Sequence, residues 1–495
     1  MNFKTDWSFL EKISMGAVGT QAVIDELNRH GHQVIELERY CTSNKIWSTK
    51  IKRLRMPDLI CLKCGKRIES RAKSKLEVKM SDTDSNPDRR WNVGLRKEDL
   101  VAFINCYKGI NGWETNGVVN LFSVDSMEIA ENKSKLGAPK SPGEGSEKDR
   151  NWPCYVPKKD GFVEEIIDNS KKHQLRLKYD DGSTYTYSCK DKEHYCIEGE
   201  RFFSDASILA GVLPKKERIE CEEGPYDFID DIKSNRHEIR YAGVKALGFL
   251  PRTDIGIKKL YDIVRNGDDV RIQLEAYASL IRLGEDVWEE LKKYAYSIQD
   301  DAYKMEFVLI LGELSGYENG IKMLYEIIDD ESFFDEMRAA AVWGLKVSEK
   351  TMDKVLQCCF SDNNIISSHA IALLENNMKE TYTDSIIRRI KDNNTGAICL
   401  HLLTNTKCVE RNVIVNEFIQ CDDELLKKWL FLIIGFSGRE YYGNLIEKLV
   451  GDEQVKCQLG RIWDYKNYAM KQEHQNSIEF IKLQEINRNL DLLSD

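Results

Sequence analysis

The apolar positions in the first 125 residues predict one long helix followed by a β-rich segment. Between residues 8 and 30, apolar side chains such as Val18 and Ala22 recur at a roughly helical period, and Gly31 is typical of a position just beyond a helix. Strand-like alternation and short apolar runs follow. They occupy residues 33–40, 56–73, 76–80, 100–104 and 118–124. This order predicts an α/β core around a central sheet, which we assign to residues 1–130.

Two different patterns follow this core. Residues 131–153 are rich in Gly, Pro, Ser and charge, which predicts a linker or an exposed loop. Residues 154–215 alternate over short runs around an Asp181-Gly182 turn and predict a small all-β module, which resembles SH3-like and Tudor-like barrels. Three tyrosines in it are expected to pack the small barrel rather than to form an aromatic recognition surface. They are Tyr179, Tyr185 and Tyr187.

From residue 216 to residue 495 the pattern is helical and repetitive. Segments of similar small and apolar residues begin at Arg240, Arg271, Lys304 and Arg338, at intervals of 31, 33 and 34 residues. Stacked helix pairs, each leaving an apolar face for its neighbour to cover, produce such a repeat. The pattern resembles HEAT repeats. The C-terminal part is therefore predicted to be an α-solenoid of HEAT-like repeats.

The hairpin segment carries the main candidate for chemistry. If its turn centres on Lys63 and Cys64, residue i faces residue 127 − i, and Asp58 lies directly opposite Glu69. Directly opposed residues on antiparallel strands have Cβ atoms about 4.5–5.5 Å apart, so the two carboxylates repel unless a cation lies between them. Side chains alternate along a strand, which places Arg71 and Lys73 on the face of Glu69. Two acids and two bases on one face suit a divalent cation and a phosphodiester.

The charge distribution supports a phosphate-binding role for this segment only. The whole chain has a net charge of −10, which gives no general attraction to nucleic acid. Between residues 50 and 79, however, eleven Lys or Arg residues stand against three acids. Four basic residues directly before the hairpin are predicted to contact phosphates without reading sequence. They are Lys50, Lys52, Arg53 and Arg55.

The helix, the strand and the Pro57-Asp58 … Glu69 pair together resemble the PD-(D/E)XK nuclease superfamily. The resemblance covers about residues 8 to 125 and implies a restriction-endonuclease-like core. It also implies that Asp58 and Glu69 hold Mg²⁺, or Mn²⁺, for hydrolysis of a phosphodiester. A further carboxylate on the first helix, Glu26, is a weaker candidate, because superfamily members often have an acid there.

One position departs from the motif. Arg71 stands where the superfamily has a Lys, and an arginine cannot be deprotonated. Lys73, two residues further on the same face, is the candidate replacement for orienting the attacking water. A second arrangement remains open, in which Glu77 and Lys79 supply a literal Glu-x-Lys.

The cysteines suggest a second candidate site. Cys61-x-x-Cys64-Gly65 has the form of one zinc knuckle, but a structural zinc site needs four ligands. No second Cys-x-x-Cys follows, so His30, His32 and Cys41 are candidate partners only if the fold brings them close, and two free thiols are the default. Fourteen dispersed Cys, with no secretory signal and no apolar run of membrane-spanning length, predict a cytoplasmic protein with reduced thiols and no membrane partner.

Two functions of different classes fit these observations. The first is a metal-dependent nuclease acting on DNA, with the solenoid binding a protein partner or the duplex. The order of its domains is typical of bacterial defence against foreign DNA. The second is a non-enzymatic HEAT-repeat scaffold whose N-terminal domain is an inactive nucleic-acid-binding relic of a nuclease. Metal affinity at the acid pair separates the two.

Overall fold

The structure, a computed structural model, describes most of the chain. The described residues are 7–38, 54–83, 86–109, 112–139, 148–169, 172–221, 224–404 and 408–471. They fall into two compact units, residues 1–310 and 311–495. In this part of the chain no helix combines the length and the apolar character needed to cross a membrane.

The first unit begins with a helix packed on a mixed sheet, as the sequence predicts. Helix α1 spans Trp7–Arg29. The sheet has the strand order β1-β2-β3-β5-β8, in which only the β3–β5 pair is parallel. Its strands are β1 (Val34–Glu36), β2 (Leu59–Cys61), β3 (Arg67–Lys73), β5 (Leu100–Asn105) and β8 (Val119–Ser123). The N-terminal region is therefore an α/β fold around a central sheet.

The sheet is buried on both faces. One face packs on α1 through a core that includes Val23, Leu27 and Ile68. The other face packs through Phe103 and Phe122 on a second core that also contains Trp91 and Trp152. Burial on both faces explains why β5 reads as a continuous apolar run rather than as an alternating strand.

The predicted linker over 131–153 is only partly irregular. It contains β9 (Lys135–Pro139) and β10 (Lys148–Trp152), which form a second sheet with β4 (Val78–Asp82) in the order β4-β10-β9. Trp152 is fully buried, with its ring 5.1 Å from that of Trp91 in an edge-to-face contact. This part of the prediction is wrong because backbone pairing and one tryptophan hold the strand in spite of its polar composition. A two-stranded ribbon of β6 (Tyr107–Gly109) and β7 (Gly112–Glu114) and helix α2 (Val124–Ile129) complete the region.

The next segment is all-β, as predicted. A four-stranded sheet has the order β14-β13-β12-β16, and a three-stranded sheet has the order β11-β17-β15. The predicted turn at Gly182 has φ +81°, and Tyr155 stacks on Tyr187 with ring centroids 3.8 Å apart. The strands are β11 (Cys154–Tyr155), β12 (Gly161–Asn169), β13 (Lys172–Tyr179), β14 (Thr184–Ser188), β15 (Glu193–His194), β16 (Arg201–Phe202) and β17 (Ala210–Gly211).

A run of helices follows and is consistent with a helical solenoid. The four repeat segments recognised in the sequence lie in α4, α6, α8 and α10, the even-numbered helices of successive pairs. The helices are α3 (Phe228–Ile232), α4 (His237–Leu247), α5 (Asp254–Asn266), α6 (Val270–Arg282), α7 (Trp288–Ser297), α8 (Asp301–Glu313), α9 (Glu318–Asp329), α10 (Asp335–Gly344), α11 (Met352–Cys359), α12 (Asn364–Asn376), α13 (Thr383–Ile387), α14 (Asn393–Thr404), α15 (Arg411–Gln420), α16 (Glu424–Ser437), α17 (Arg439–Leu449) and α18 (Glu453–Lys471).

Candidate functional site

The β2–β3 hairpin has the register that the sequence predicts. Leu59 pairs with Ile68 and Ile60 with Arg67, so paired residue numbers sum to 127. Asp58 directly precedes β2, and one of its carboxylate oxygens accepts a hydrogen bond from the backbone N–H of Ser70 at 2.8 Å. This bond ties the Asp58 carboxylate to the strand that carries Glu69.

Helix α1 determines which face of β3 is available. The Thr20 hydroxyl lies 3.1 Å from that of Ser70, and a methyl group at Gly19 would come within 2.5 Å of Ala72 Cβ. The even-numbered side chains of β3 thus face α1. Glu69, Arg71 and Lys73 alternate with them and point to the other side of the sheet.

Charges of both signs meet around this face. Arg71 Nη2 lies 2.5 Å from a carboxylate oxygen of Glu69, which is itself largely buried. The pKa of Asp58 is raised well above its ordinary value by burial and by the carboxylates of Glu69 and Glu38, although Arg71 and the Ser70 N–H act in the opposite direction. The pKa of Arg71 is raised as well. Burial lowers it, but the attraction of Glu69, Asp58 and Glu38 outweighs that effect.

Glu38 is the carboxylate that sequence reasoning missed. Its backbone N–H donates to the Asp58 carbonyl oxygen at 3.3 Å, and the neighbouring Leu37 N–H donates to the same oxygen at 2.8 Å. The pairing of β1 with β2 therefore brings a third acid to the site. No local motif could reveal it, because 20 residues separate Glu38 from Asp58 in the sequence.

The alternative Glu77 and Lys79 belong to a different environment. Lys79 is in β4, part of the second sheet, and Glu77 directly precedes that strand. Glu77 pairs with Lys79 at 3.3 Å and with Lys75 at 3.2 Å, while Lys79 also lies 3.4 Å from Asp149. The ion-pair partners of Glu77 and Lys79 therefore lie in or next to the second sheet.

The remaining candidates lie elsewhere. Glu26 forms ion pairs with Arg29 and with His30 on its own helix and the residue after it. Arg55 is exposed just before the hairpin. Lys50, Lys52, Arg53 and Cys41 lie outside the described residues.

A buried ion pair lies on the face of β3 that carries Glu69. The Nε atom of Arg67 lies 3.0 and 3.1 Å from the two carboxylate oxygens of Asp99, and both side chains are fully buried. Arg96 contacts the same carboxylate through its Nε at 3.0 Å. The sequence contains no signal for this network, which ties β3 to the loop before β5.

The turn of the same hairpin forms a second group of potential ligands. His32, Cys61, Cys64 and Cys221 bring one ligand atom each to within 4.8 Å of one another. Among the described residues this is the only group in which three or more His, Cys, Asp or Glu ligand atoms converge so closely. Of the two histidines that the sequence suggests as partners for Cys61 and Cys64, His32 belongs to this group. The other, His30, forms an ion pair with Glu26 instead.

Cys221 is the ligand that sequence reasoning missed, since it is 160 residues from Cys61 along the chain. Between Cys61 and Cys64 a shared hydrogen bond lowers the pKa of the Cys61 thiol and raises that of Cys64. No protein-family model matches this sequence, and the comparison with curated proteins finds no match either.

Proposed function

We propose that the chain is a metal-dependent nuclease that hydrolyses phosphodiester bonds, with DNA as its substrate. The observation that carries the proposal is the juxtaposition of Asp58, Glu69 and Glu38 with Arg71, on the side of β3 that points away from α1. Acids on adjacent antiparallel strands are the arrangement that the PD-(D/E)XK resemblance implies. Arg71 stands in place of the motif's Lys, and Lys73 follows two residues later as its candidate replacement.

Asp58, Glu69 and Glu38, which we call the acidic group, supply the type of ligand atom that a divalent cation such as Mg²⁺ or Mn²⁺ binds. Carboxylate oxygens are the ligands that these ions prefer. Burial, and after it the repulsion from Glu69 and Glu38, raises the pKa of Asp58, so positive charge placed beside these acids favours the ionised form. A cation bound there supplies Lewis acidity that neutralises phosphate charge and acidifies a bound water.

Each side chain then has a separate role. Asp58 and Glu69 would hold the cation, and the Ser70 N–H fixes the orientation of the Asp58 carboxylate. Arg71 neutralises negative charge that develops on the phosphate. Lys73 orients the attacking water, because its amine exchanges protons as a guanidinium cannot.

The surroundings suit a polyanionic substrate. The basic residues Lys50, Lys52, Arg53 and Arg55 precede the hairpin in the chain and contact the substrate backbone. Glu38 also lines a small cavity together with Tyr241 of α4 and Arg271 of α6. The first HEAT-like repeats thus lie beside the acidic group and act as the platform for the substrate or a protein partner, an organisation suited to defence against foreign DNA.

A non-enzymatic scaffold is the second candidate, and one observation favours it. The position that carries a Lys in the motif is Arg71, and its guanidinium already pairs with Glu69. A domain whose acids are neutralised by an arginine would bind nucleic acid without cutting it. The solenoid would then carry the function by binding a protein.

Cleavage of supercoiled plasmid with Mg²⁺ or Mn²⁺ tests the proposal. Asp58→Asn and Glu69→Gln should each reduce the cleavage rate by at least about 100-fold, as expected when a group that stabilises the transition state is removed. Glu77→Gln is the matched control, a strand-associated glutamate with two lysine partners, and should retain the wild-type rate.

Two outcomes would contradict the proposal. If the wild-type chain binds plasmid but does not cut it with either ion, the scaffold is correct. If Glu77→Gln abolishes cleavage and Glu69→Gln does not, the metal ligands have been assigned to the wrong strand.

A further inference from the structure

We propose that His32, Cys61, Cys64 and Cys221 form a structural zinc site at the turn of the β2–β3 hairpin. Three thiols and one imidazole are a common ligand set for structural Zn²⁺, in which the protein supplies all four ligands. The four ligand atoms already lie within 4.8 Å of one another. This site is separate from the acidic group of the nuclease proposal and does not depend on it.

The distances match those of a tetrahedral ion. Zn–S bonds of about 2.3 Å place two sulfurs about 3.8 Å apart, and a sulfur and an imidazole nitrogen about 3.6 Å apart. Cys61 Sγ lies 3.9 Å from Cys221 Sγ, and Cys64 Sγ lies 3.8 Å from His32 Nδ1. These two distances lie within about 0.2 Å of the tetrahedral values, and no two of the four ligand atoms are more than 4.8 Å apart.

The outer nitrogen of His32 is held as in a metal-binding histidine. Nε2 lies 2.9 Å from the Ile219 carbonyl oxygen, so it carries the proton and donates it. The Nδ1 lone pair is then directed toward the sulfurs. A hydrogen bond from the other ring nitrogen to a carbonyl or carboxylate is the usual support of a ligating histidine.

The backbone conformation at Gly65 allows the hairpin turn to fold tightly beside Cys61 and Cys64. Gly65 follows Cys64 with φ +68°, and its N–H donates to the Cys61 carbonyl oxygen at 3.0 Å. A methyl group at Gly65 would come within 2.3 Å of the Tyr226 ring, so only glycine fits. The Lys63 amine donates to the Gly31 carbonyl oxygen at 2.6 Å, which brings the hairpin turn up to the loop that carries His32.

Zinc at this position would join three distant parts of the first unit. His32 lies between α1 and β1, Cys61 and Cys64 lie on the hairpin, and Cys221 lies on the segment between the β module and the helices. Backbone bonds already guide that segment. The N–H of Cys221 donates to the His30 carbonyl oxygen at 3.1 Å, and the N–H of Tyr226 donates to the Lys63 carbonyl oxygen at 2.9 Å. With four protein ligands and no open position, the role is structural rather than catalytic.

A disulfide between Cys61 and Cys221 is the competing arrangement. Its sulfurs would have to approach from 3.9 Å to about 2.05 Å, and it would leave Cys64 and His32 without a role. The convergence of all four groups, rather than of two thiols, favours the metal.

Metal analysis of the full chain, purified without chelator, tests the site. We expect about one zinc per chain, and after exchange with Co²⁺ the strong visible absorption of a tetrahedral thiolate complex. Cys221→Ser should weaken zinc binding by more than about 100-fold, since even outer-shell partners are worth about 10- to 100-fold. Cys457→Ser, which changes an exposed cysteine, and Asp58→Asn, which changes the acidic group, should each retain one zinc.

Several results would overturn the assignment. They are a chain that neither contains zinc nor takes it up, a thiol titration that finds two thiols oxidised, and a Cys221→Ser variant that binds zinc as tightly as the wild type. Because Cys221 is only half-buried, its serine variant is expected to fold, and circular dichroism verifies this. Cys64→Ser provides an independent second variant with the same expected loss.

Discussion

Replacing Arg67 by methionine breaks a fully buried ion pair beside the acidic group. Arg67 Nε contacts both oxygens of Asp99 at 3.0 and 3.1 Å, and Nη2 also donates to the Gly94 carbonyl oxygen at 3.2 Å. Methionine keeps much of the apolar stem of arginine but has no charge and no donor. The substitution therefore removes the ionic contact while largely preserving the packing.

The size of the effect follows from what remains around Asp99. Removing one partner of a buried pair typically costs about 3–5 kcal/mol, because the other charge is left uncompensated. Asp99 would keep Arg96, whose Nε lies 3.0 Å and whose backbone N–H lies 2.6 Å from its oxygens. We therefore expect a loss near the lower end, about 3 kcal/mol. Asp99→Leu should cost more, since it leaves two guanidinium groups without their shared carboxylate.

Native-state hydrogen exchange of β3 is the suitable assay, since a chain with two compact units need not unfold in one transition. Arg67→Met should lower the opening free energy of β3 amides by about 3 kcal/mol and leave α16 unchanged. Arg176→Met is the control, because the Arg176–Glu165 pair is exposed and should be worth less than about 1 kcal/mol. If the two variants lose the same small amount, the buried pair does not stabilise the sheet as argued.

Three further predictions concern the other sites. Burial lowers the pKa of His369 to about 4 from 6.5, so the native state binds fewer protons than the unfolded state between these values. Stability in the second unit should therefore fall by roughly 3 kcal/mol as the pH drops through this range, and His369→Leu should abolish that slope in hydrogen exchange of α12. Gly65→Ala should reduce zinc content by forcing Tyr226 away from the turn, as metal analysis would show. Mn²⁺ at about 100 times its dissociation constant should raise the opening free energy of the β3 amides by about 2.7 kcal/mol in native-state hydrogen exchange of the wild type, but not of Glu69→Gln.

The sequence predicts those features that depend on local pattern. The hairpin register follows from the length of the turn between Asp58 and Glu69, and α1 follows from its helical period and the glycine after it. The four repeat segments fall within helices because each keeps its own apolar face. Each of these features can be predicted from residues that lie close together in the sequence.

The features that were missed depend on distant pairing. Glu38 reaches the acidic group only through the β1–β2 register, and Cys221 reaches the hairpin turn from 160 residues away. Strand β10 lacks an apolar pattern, since Trp152 is its only fully buried side chain, and backbone pairing with β4 and β9 supplies the rest of its stability. Such contacts cannot be read from any local stretch of sequence.

A crystal structure of the chain soaked with Mn²⁺, with anomalous data collected at the manganese edge, tests the central claim most directly. The nuclease account predicts an anomalous peak bonded to the carboxylates of both Asp58 and Glu69, at about the 2.1 Å that is typical of small divalent ions and oxygen ligands. Density for an unchanged Arg71–Glu69 pair, with no peak beside Asp58, would contradict that account and leave the scaffold as the function of this chain.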